Sequence, residues 1–350
     1  MTEEKKNDRE MESDHGGMGQ ENDGWRADGD LSGLVRKAKR KSLLRSAVIS
    51  ASAAVLVLGG ALIANLQLLY KSSDNALRDI SLFKQISGPN SYEGGYRADF
   101  GLLTGKLDIQ TYKLIEGVPV VQGAEPYEYN VLGHFSKPAG GYNLGLPDAF
   151  MKEEKLDYMR PYNPNTGERE MLFYLPDISY PRTLNELPQL EAMDPDKLVE
   201  LAVSFDKAYT VKEIGAMLPP DAHPVWYWVD TYSNRYPYEA KKMPDGSSVS
   251  PFPDSEAGVY GFGMHPDTAT NTAAEEDFLK LIQAGLSQKG KYEGEYKRIY
   301  DYLRKDKPAP LTSDVRIWGV VVTGTAENLK ALNGKPYLKA AVFGAIADRY

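Results

Sequence analysis

Leu34–Tyr70 reads LVRKAKRKSLLRSAVISASAAVLVLGGALIANLQLLY, and its two halves differ in kind. Arg36, Lys37, Lys39, Arg40, Lys41 and Arg45 place six positive charges in ten residues of a chain whose net charge is −8. The next 25 residues, Ser46 to Tyr70, carry no group charged at neutral pH. At 1.5 Å per residue, about 20 apolar helical residues cross the ~30 Å hydrocarbon layer of a bilayer. The run is therefore long enough for a transmembrane helix over 46–70. A buried helix of a soluble domain would show a polar stripe, and this one shows none of any width.

A cleaved secretion signal has its basic region close to the first residue and an apolar core of about 7–15 residues. Here 45 residues come first, and no small-x-small site follows Leu69. The expectation is an anchor. Lysine and arginine are retained on the cytoplasmic face, so the six cations before the run, against Lys71 and Arg78 after it, point the amino terminus inward. Residues 71–350 then lie outside the cell membrane. The same cluster can meet the anionic head groups of the lipid bilayer.

Residues 1–45 hold ten acidic and ten basic side chains, so the whole of the −8 belongs to the region beyond the span. That argues against nucleic acid as its partner, because phosphate contacts need a basic face. The absence of cysteine excludes disulfides, thiolate metal sites and thiol chemistry. Residues 1–30 are charged, almost free of aliphatics, and expected to be disordered. From there Leu31, Leu34, Val35 and Ala38 recur at helical spacing, with Asp30 as a candidate cap, so a basic juxtamembrane helix is expected over 31–45. On its own that stripe could dock a cytoplasmic partner or lie along the bilayer surface, and the pattern favours the second.

Beyond the span, Ser73–Gln85 has helical periodicity and SGPN at 87–90 stops it. Residues 71–197 read as β-rich, with strands expected at Lys106–Ile115, Tyr127–Phe135 and Met171–Ile178 between the loops KPAGGYNLGLPD and RPYNPNTGE. Residues 198–350 read as an extracellular C-terminal α/β domain. LVELAVSF and PVWYWVDTY are strands, YTVKEIGAMLPPD is a short helix capped by Thr210, and TAAEEDFLKLIQAGL and YEGEYKRIYDYLRK are amphipathic helices. DVRIWGVVVTG, TAENLKALNG and PYLKAAVFGAI form a βαβ pattern, from which two neighbouring parallel strands are expected. The fold class that follows is a single-pass membrane protein with one transmembrane helix and an α+β extracellular region, a mixed sheet flanked by helices.

The residues suggest no catalytic, cofactor or metal site. His15, His134, His223 and His265 lack the spacing of metal ligands. Gly261-Phe-Gly263 lacks the strand-turn-helix context of a nucleotide fingerprint and is expected to be a loop. No GxSxG elbow or phosphate-binding loop occurs. Trp226-Tyr227-Trp228 could form a sugar-stacking platform, but a strand with a buried aromatic face is the commoner use of such a run. Gly60 and Ala64 form a small-xxx-small pair, a weak hint of helix dimerisation.

LVRKAKRKSLLR running into the span, followed by ISGPNSY, resembles the amino-terminal module of the sigma factor regulators of Gram-positive bacteria. AVSFDKAYTVKEIGAMLP, VWYWVDTY and RIWGVVVTGTAENLKAL with PYLKAAVFGAI are similar to that family's carboxy-terminal module. The resemblance implies a membrane anti-sigma factor that restrains an extracytoplasmic-function sigma factor and senses envelope conditions, with no enzymatic activity. It makes Leu31, Leu34, Val35 and Ala38 the candidate sigma contact. Many anti-sigma factors hold their partner in a longer helical domain, often with a His/Cys zinc motif. A 45-residue tail without cysteine therefore raises a second small membrane protein as a further partner. The alternative is a membrane-tethered ectodomain that binds or hydrolyses cell-wall polymer.

Overall fold

The computed structural model describes residues 28–139, 161–244, 246, 248–263 and 274–349. The chain divides into two compact units, Met1–Leu62 and Ile63–Tyr350. All described residues of the first are helical and belong to α1 (Asp28–Lys84). α1 is long and apolar enough to cross a membrane. Its apolar side chains between Leu43 and Ile63 are exposed all round the helix, Leu56 to 76%. A helix apolar on every side needs either a large core or a lipid solvent to cover it. Asp30 lies within α1 rather than before its start. The helix expected at Ser73–Gln85 is the last part of the same element.

In the second unit, α1 is followed by an antiparallel meander: β1 (Ser91–Phe100), β2 (Thr104–Ile115), β3 (Val118–Asn130) and β4 (Phe135–Ser136). β2 alternates strictly enough that Leu107 and Ile109 face one side. There they join Tyr127 and Tyr129 of β3 and receive Leu69, Ala76 and Ile80 of α1. The expected strand Tyr127–Phe135 is in fact the end of β3, a turn held by the Asn130 side chain, and β4. β1, with its Gly94-Gly95 pair, escaped the sequence reading. Of the expected strand Met171–Ile178, only β5 (Leu172–Phe173) is regular. Most of the first quoted loop and residues 1–27 lie outside the described residues.

The larger sheet contains β6 (Leu198–Tyr209), β7 (His223–Val229), β11 (Gly261–Gly263), β12 (Ile317–Thr325) and β13 (Leu338–Ala347) in the order β11-β7-β12-β6-β13. Between β7 and β11 lie a short hairpin, β8 (Lys241–Lys242) with β9 (Ser248–Val249), and β10 (Asp254–Ser255), which pairs with β5. The helices are α2 (Val211–Met217), α3 (Ala274–Gln288), α4 (Glu293–Arg304) and the four-residue α5 (Ala326–Leu329). Thr210 caps α2 in a reciprocal box with Glu213, as the sequence signals.

Three expectations need correction. β12 and β13 do run parallel, but they are not neighbours, because β6 lies between them and is antiparallel to both. All four ladders of the sheet are antiparallel, so it is not mixed; the described parallel pairing is an isolated bridge, Asn185 to Ala341. A βαβ signature fixes relative direction and leaves adjacency open. β6 is buried on both faces over Leu198–Phe205, and that burial demands an interior slot. β6-α2-β7 and β12-α5-β13 are therefore two interlocked split βαβ units, the ferredoxin-like arrangement. Gly261-Phe262-Gly263 is likewise an edge strand rather than a loop. A side chain at Gly261 would strike the Tyr227 carbonyl.

Val199, Leu201, Val203 and Phe205 point from β6 towards the helices, meeting Ile214, Phe278, Ile282 and Ile299. Ala202 points to the opposite face, where Trp226, Trp228 and Trp318 pack on Met171 and Phe173. α3 and α4 touch at Gly285, where a Cβ would sit 2.2 Å from the Tyr296 ring. Gly285→Ala should lower unfolding free energy by about 1–3 kcal/mol through overpacking, despite alanine's better helix propensity. Urea denaturation checks this, and a stabilised variant would show that the helices can part without cost.

Candidate functional site

The basic cluster and the apolar stripe lie on the amino-terminal part of α1. Arg36, Lys37, Lys39, Arg40, Lys41 and Arg45 are all exposed. Leu34, Val35 and Ala38 are exposed too, Leu34 to 59%, and helical spacing sets them on one face. The side chain of Leu31 lies outside the described residues.

Further along, α1 is fastened to the meander by polar contacts. Asn65, 8% exposed, donates to the Gly101 carbonyl (3.0 Å) and accepts from the Leu103 N–H (2.8 Å). Both groups belong to the β1–β2 turn, so one amide side chain replaces the water that this turn would otherwise bind. Ser72 donates to the Asn130 carbonyl (2.7 Å). Asp79 accepts from the Lys291 N–H (2.6 Å) in the turn before α4. Burial pushes the Asp79 carboxyl up, and the Lys291 N–H and charge only partly oppose that. The approach requires Gly290, whose Cβ would meet the carboxylate at 2.1 Å. Phe83 stacks on Tyr292 at 3.9 Å.

The most deeply buried charges join the meander to the larger sheet. Lys113 of β2 is 3% exposed, and its ammonium donates to Glu200 of β6 (2.7 Å) and to Glu256 (2.9 Å). Glu200 is fully buried and also accepts from Asn90 (2.8 Å) and the Ala345 N–H (3.0 Å). Glu256 accepts from the Met171 N–H (2.8 Å). Burial alone would depress Lys113, but the two carboxylates overcome it and hold the ammonium above its ordinary range. Burial pushes Glu200 up; Lys113 opposes and Glu256 adds to the rise. Glu170 is raised by burial and then by Glu256. A second joint lies beside this one, where Glu116, in the β2–β3 turn, meets His223 (3.0 Å) and Thr323 (2.7 Å).

This arrangement has the geometry of a joint: each carboxylate oxygen that meets Lys113 is also bonded to a backbone N–H. Sequence reading missed it, although a lone glutamate inside the apolar strand LVELAVSF was a visible signal. Trp226, Tyr227 and Trp228 are all buried, which removes the sugar platform. His134 lines a groove of about 620 Å³ with Lys106, Tyr129 and Asn130. His223 lies elsewhere, and His15 and His265 fall outside the described residues. Among the described residues no three His, Asp or Glu side chains gather as metal ligands.

Two family matches cover most of the chain. Residues 32–120 match the family described as sigma factor regulator N-terminal, and residues 190–345 match sigma factor regulator C-terminal. Lys113 lies in the first match, and Glu200 and Glu256 lie in the second. No curated protein and no solved structure matches the chain.

Proposed function

The chain belongs to the sigma factor regulator family, a family of anti-sigma factors, and from this we propose that it restrains its sigma factor from the membrane. α1 crosses the bilayer once, with residues 1–45 inside and the meander and larger sheet outside. The observation that carries this is the order of parts: both family modules are present, and the first contains a basic cluster abutting an exposed apolar helix. The sigma factor is of the extracytoplasmic-function type. Leu31, Leu34, Val35 and Ala38 hold it, and a second small membrane protein shares the load. The outer region senses envelope conditions, and the joints at Asp79, Glu116 and Lys113 support its moving as one body with the end of α1. The protein works without catalysis. The competing idea of an ectodomain acting on wall polymer drew on the Trp226–Trp228 face, and burial of those rings takes that support away.

Two measurements test the proposal together. Protease added to intact protoplasts should remove the region after Lys71 and spare an epitope at residue 2. Neutralising Arg36, Lys37, Lys39, Arg40 and Lys41 together should weaken that orientation, since insertion follows local Lys and Arg. Deleting the protein should raise sigma-dependent transcription, and supplying the full chain should restore repression. Loss of the amino-terminal epitope in intact protoplasts, or unchanged transcription on deletion, would end this account.

A further inference from the structure

The tip of the β1–β2 hairpin is apolar and exposed. Leu102 is 71% and Leu103 57% exposed, and Leu132 in the β3–β4 turn is 78% exposed. The tips are neighbours, since the Val131 N–H donates to the Leu103 carbonyl (3.0 Å). A solvated hairpin tip is ordinarily polar and often glycine or asparagine where the backbone turns left-handed. Here Leu103 takes that conformation, with φ 63°, which is uncommon for a bulky residue. Two adjacent leucines at a turn, one in a disfavoured backbone state, imply something apolar above them.

The position of the tip says what that is. Asn65 of α1 grips it directly, through the Gly101 carbonyl and the Leu103 N–H. Counting from Ser46, the first residue after the basic cluster, Asn65 is the twentieth residue of the charge-free run. At 1.5 Å per residue, 20 helical residues span about 30 Å, the hydrocarbon thickness. The tip is therefore clamped to the helix at the depth where the span leaves the hydrocarbon. Leu66 and Tyr70 on the same stretch are exposed as well, and Tyr70 packs its ring on Phe100 at 4.3 Å, beside the hairpin. Tyrosine favours that interfacial depth.

We propose that the β1–β2 hairpin tip, with Leu102, Leu103 and Leu132, is seated in the outer leaflet of the bilayer beside the span. This rests on the membrane reading of α1 and adds a second, non-helical contact with lipid. The outer region is then held on the membrane surface by two points, the helix and the hairpin. Much of the tip's backbone is bonded within the protein at that depth: Gly101 N–H donates to the Thr104 carbonyl (2.9 Å), Asn65 takes the Gly101 carbonyl and the Leu103 N–H, and the Leu103 carbonyl accepts from Val131 N–H.

The chain has no cysteine, so a single introduced thiol reports one place. Full-length Leu102→Cys, Leu132→Cys, Val121→Cys and Leu56→Cys would each carry a nitrobenzoxadiazole label. Each protein is reconstituted in phosphatidylcholine–phosphatidylglycerol vesicles, with and without bromines on the acyl chains. Leu56 reports the span. Val121 is also exposed but pairs with Tyr112, eight residues along β2 from Thr104, roughly 26 Å away at about 3.3 Å per residue. The expected result is blue-shifted emission at Leu102 and Leu132, with bromine quenching several-fold greater than at Val121 and approaching that at Leu56. Quenching at Leu56 with Leu102 no different from Val121 overturns the inference and leaves the span intact. No quenching at Leu56 removes the membrane reading, and the hairpin contact with it. A blue shift at Leu102 without quenching means that protein, such as a second copy, covers the tip, and that too overturns it.

Discussion

Lys113→Met should lower the unfolding free energy of the protein by about 3–5 kcal/mol, because it leaves the fully buried Glu200 and the partly buried Glu256 without their cation. Methionine fills a similar volume, so packing changes little and the loss is electrostatic. Lys113→Met with Glu200→Met should recover most of that stability, since a fully buried pair replaced by apolar side chains is often neutral or better. Non-additivity of this size is the mark of a coupled pair. The pH dependence carries the sign. Lys113 is raised, so its contribution is complete below the ordinary lysine pKa and fades only as pH climbs through the higher folded value. Glu200 is raised as well, so its contribution is complete in acid, below the ordinary carboxylate pKa, and is lost as pH rises through the folded value. Once the ammonium is gone, acidification relieves the unpaired Glu200, because a protonated carboxyl needs no cation. Urea midpoints of wild type and Lys113→Met should therefore converge as pH falls from neutral towards the carboxylate range. A gap that stays constant with pH, or a double variant no more stable than the single, would show that Lys113 acts by shape alone.

That joint also marks where sequence reading stops. α1, α2, α3 and α4 were legible because helical periodicity, the Thr210 cap and the absence of charge are all local. The strands β6, β7, β12 and β13 were legible as strands for the same reason. Their order was not, because the placing of β6 between β12 and β13 depends on which strand must bury both faces, a property of the assembled sheet. β1 was invisible because SYEGGYRADF lacks alternation and carries two glycines at its bulge against β2. The charged joint was half visible. Glu200 stands out in an apolar strand, but nothing local says that its cation comes 87 residues earlier. By sequence Asn65 is only an uncharged polar residue near the end of an apolar run. In the fold it is the residue that ties α1 to the β1–β2 hairpin.

Leu34→Asp should release the sigma factor and raise its regulon to the level seen when the whole chain is deleted. Leu34 is exposed on α1 with Val35 and Ala38 on the same face, so the change cannot act by collapsing a core. It also lies before Arg36 and the rest of the basic cluster, outside the charge-free run, so insertion should be unaffected. The expected effect is large because the proposed interface is small. Leu31, Leu34, Val35 and Ala38 would bury on the order of 300 Å² at most, about 7 kcal/mol gross at ~25 cal/mol/Å². Association costs an estimated 4–15 kcal/mol, so little margin remains and one introduced charge abolishes binding. On the proposed reading, confinement to the membrane or a second small membrane protein would supply the effective concentration that the stripe alone lacks. Deleting residues 2–29 should have a smaller effect, as a charged leader contributes little apolar area. Reporter transcription measured beside membrane fractionation decides between them. If Leu34→Asp leaves transcription unchanged and the 2–29 deletion derepresses it, the sigma factor is held by the acidic leader and the stripe belongs to the lipid surface.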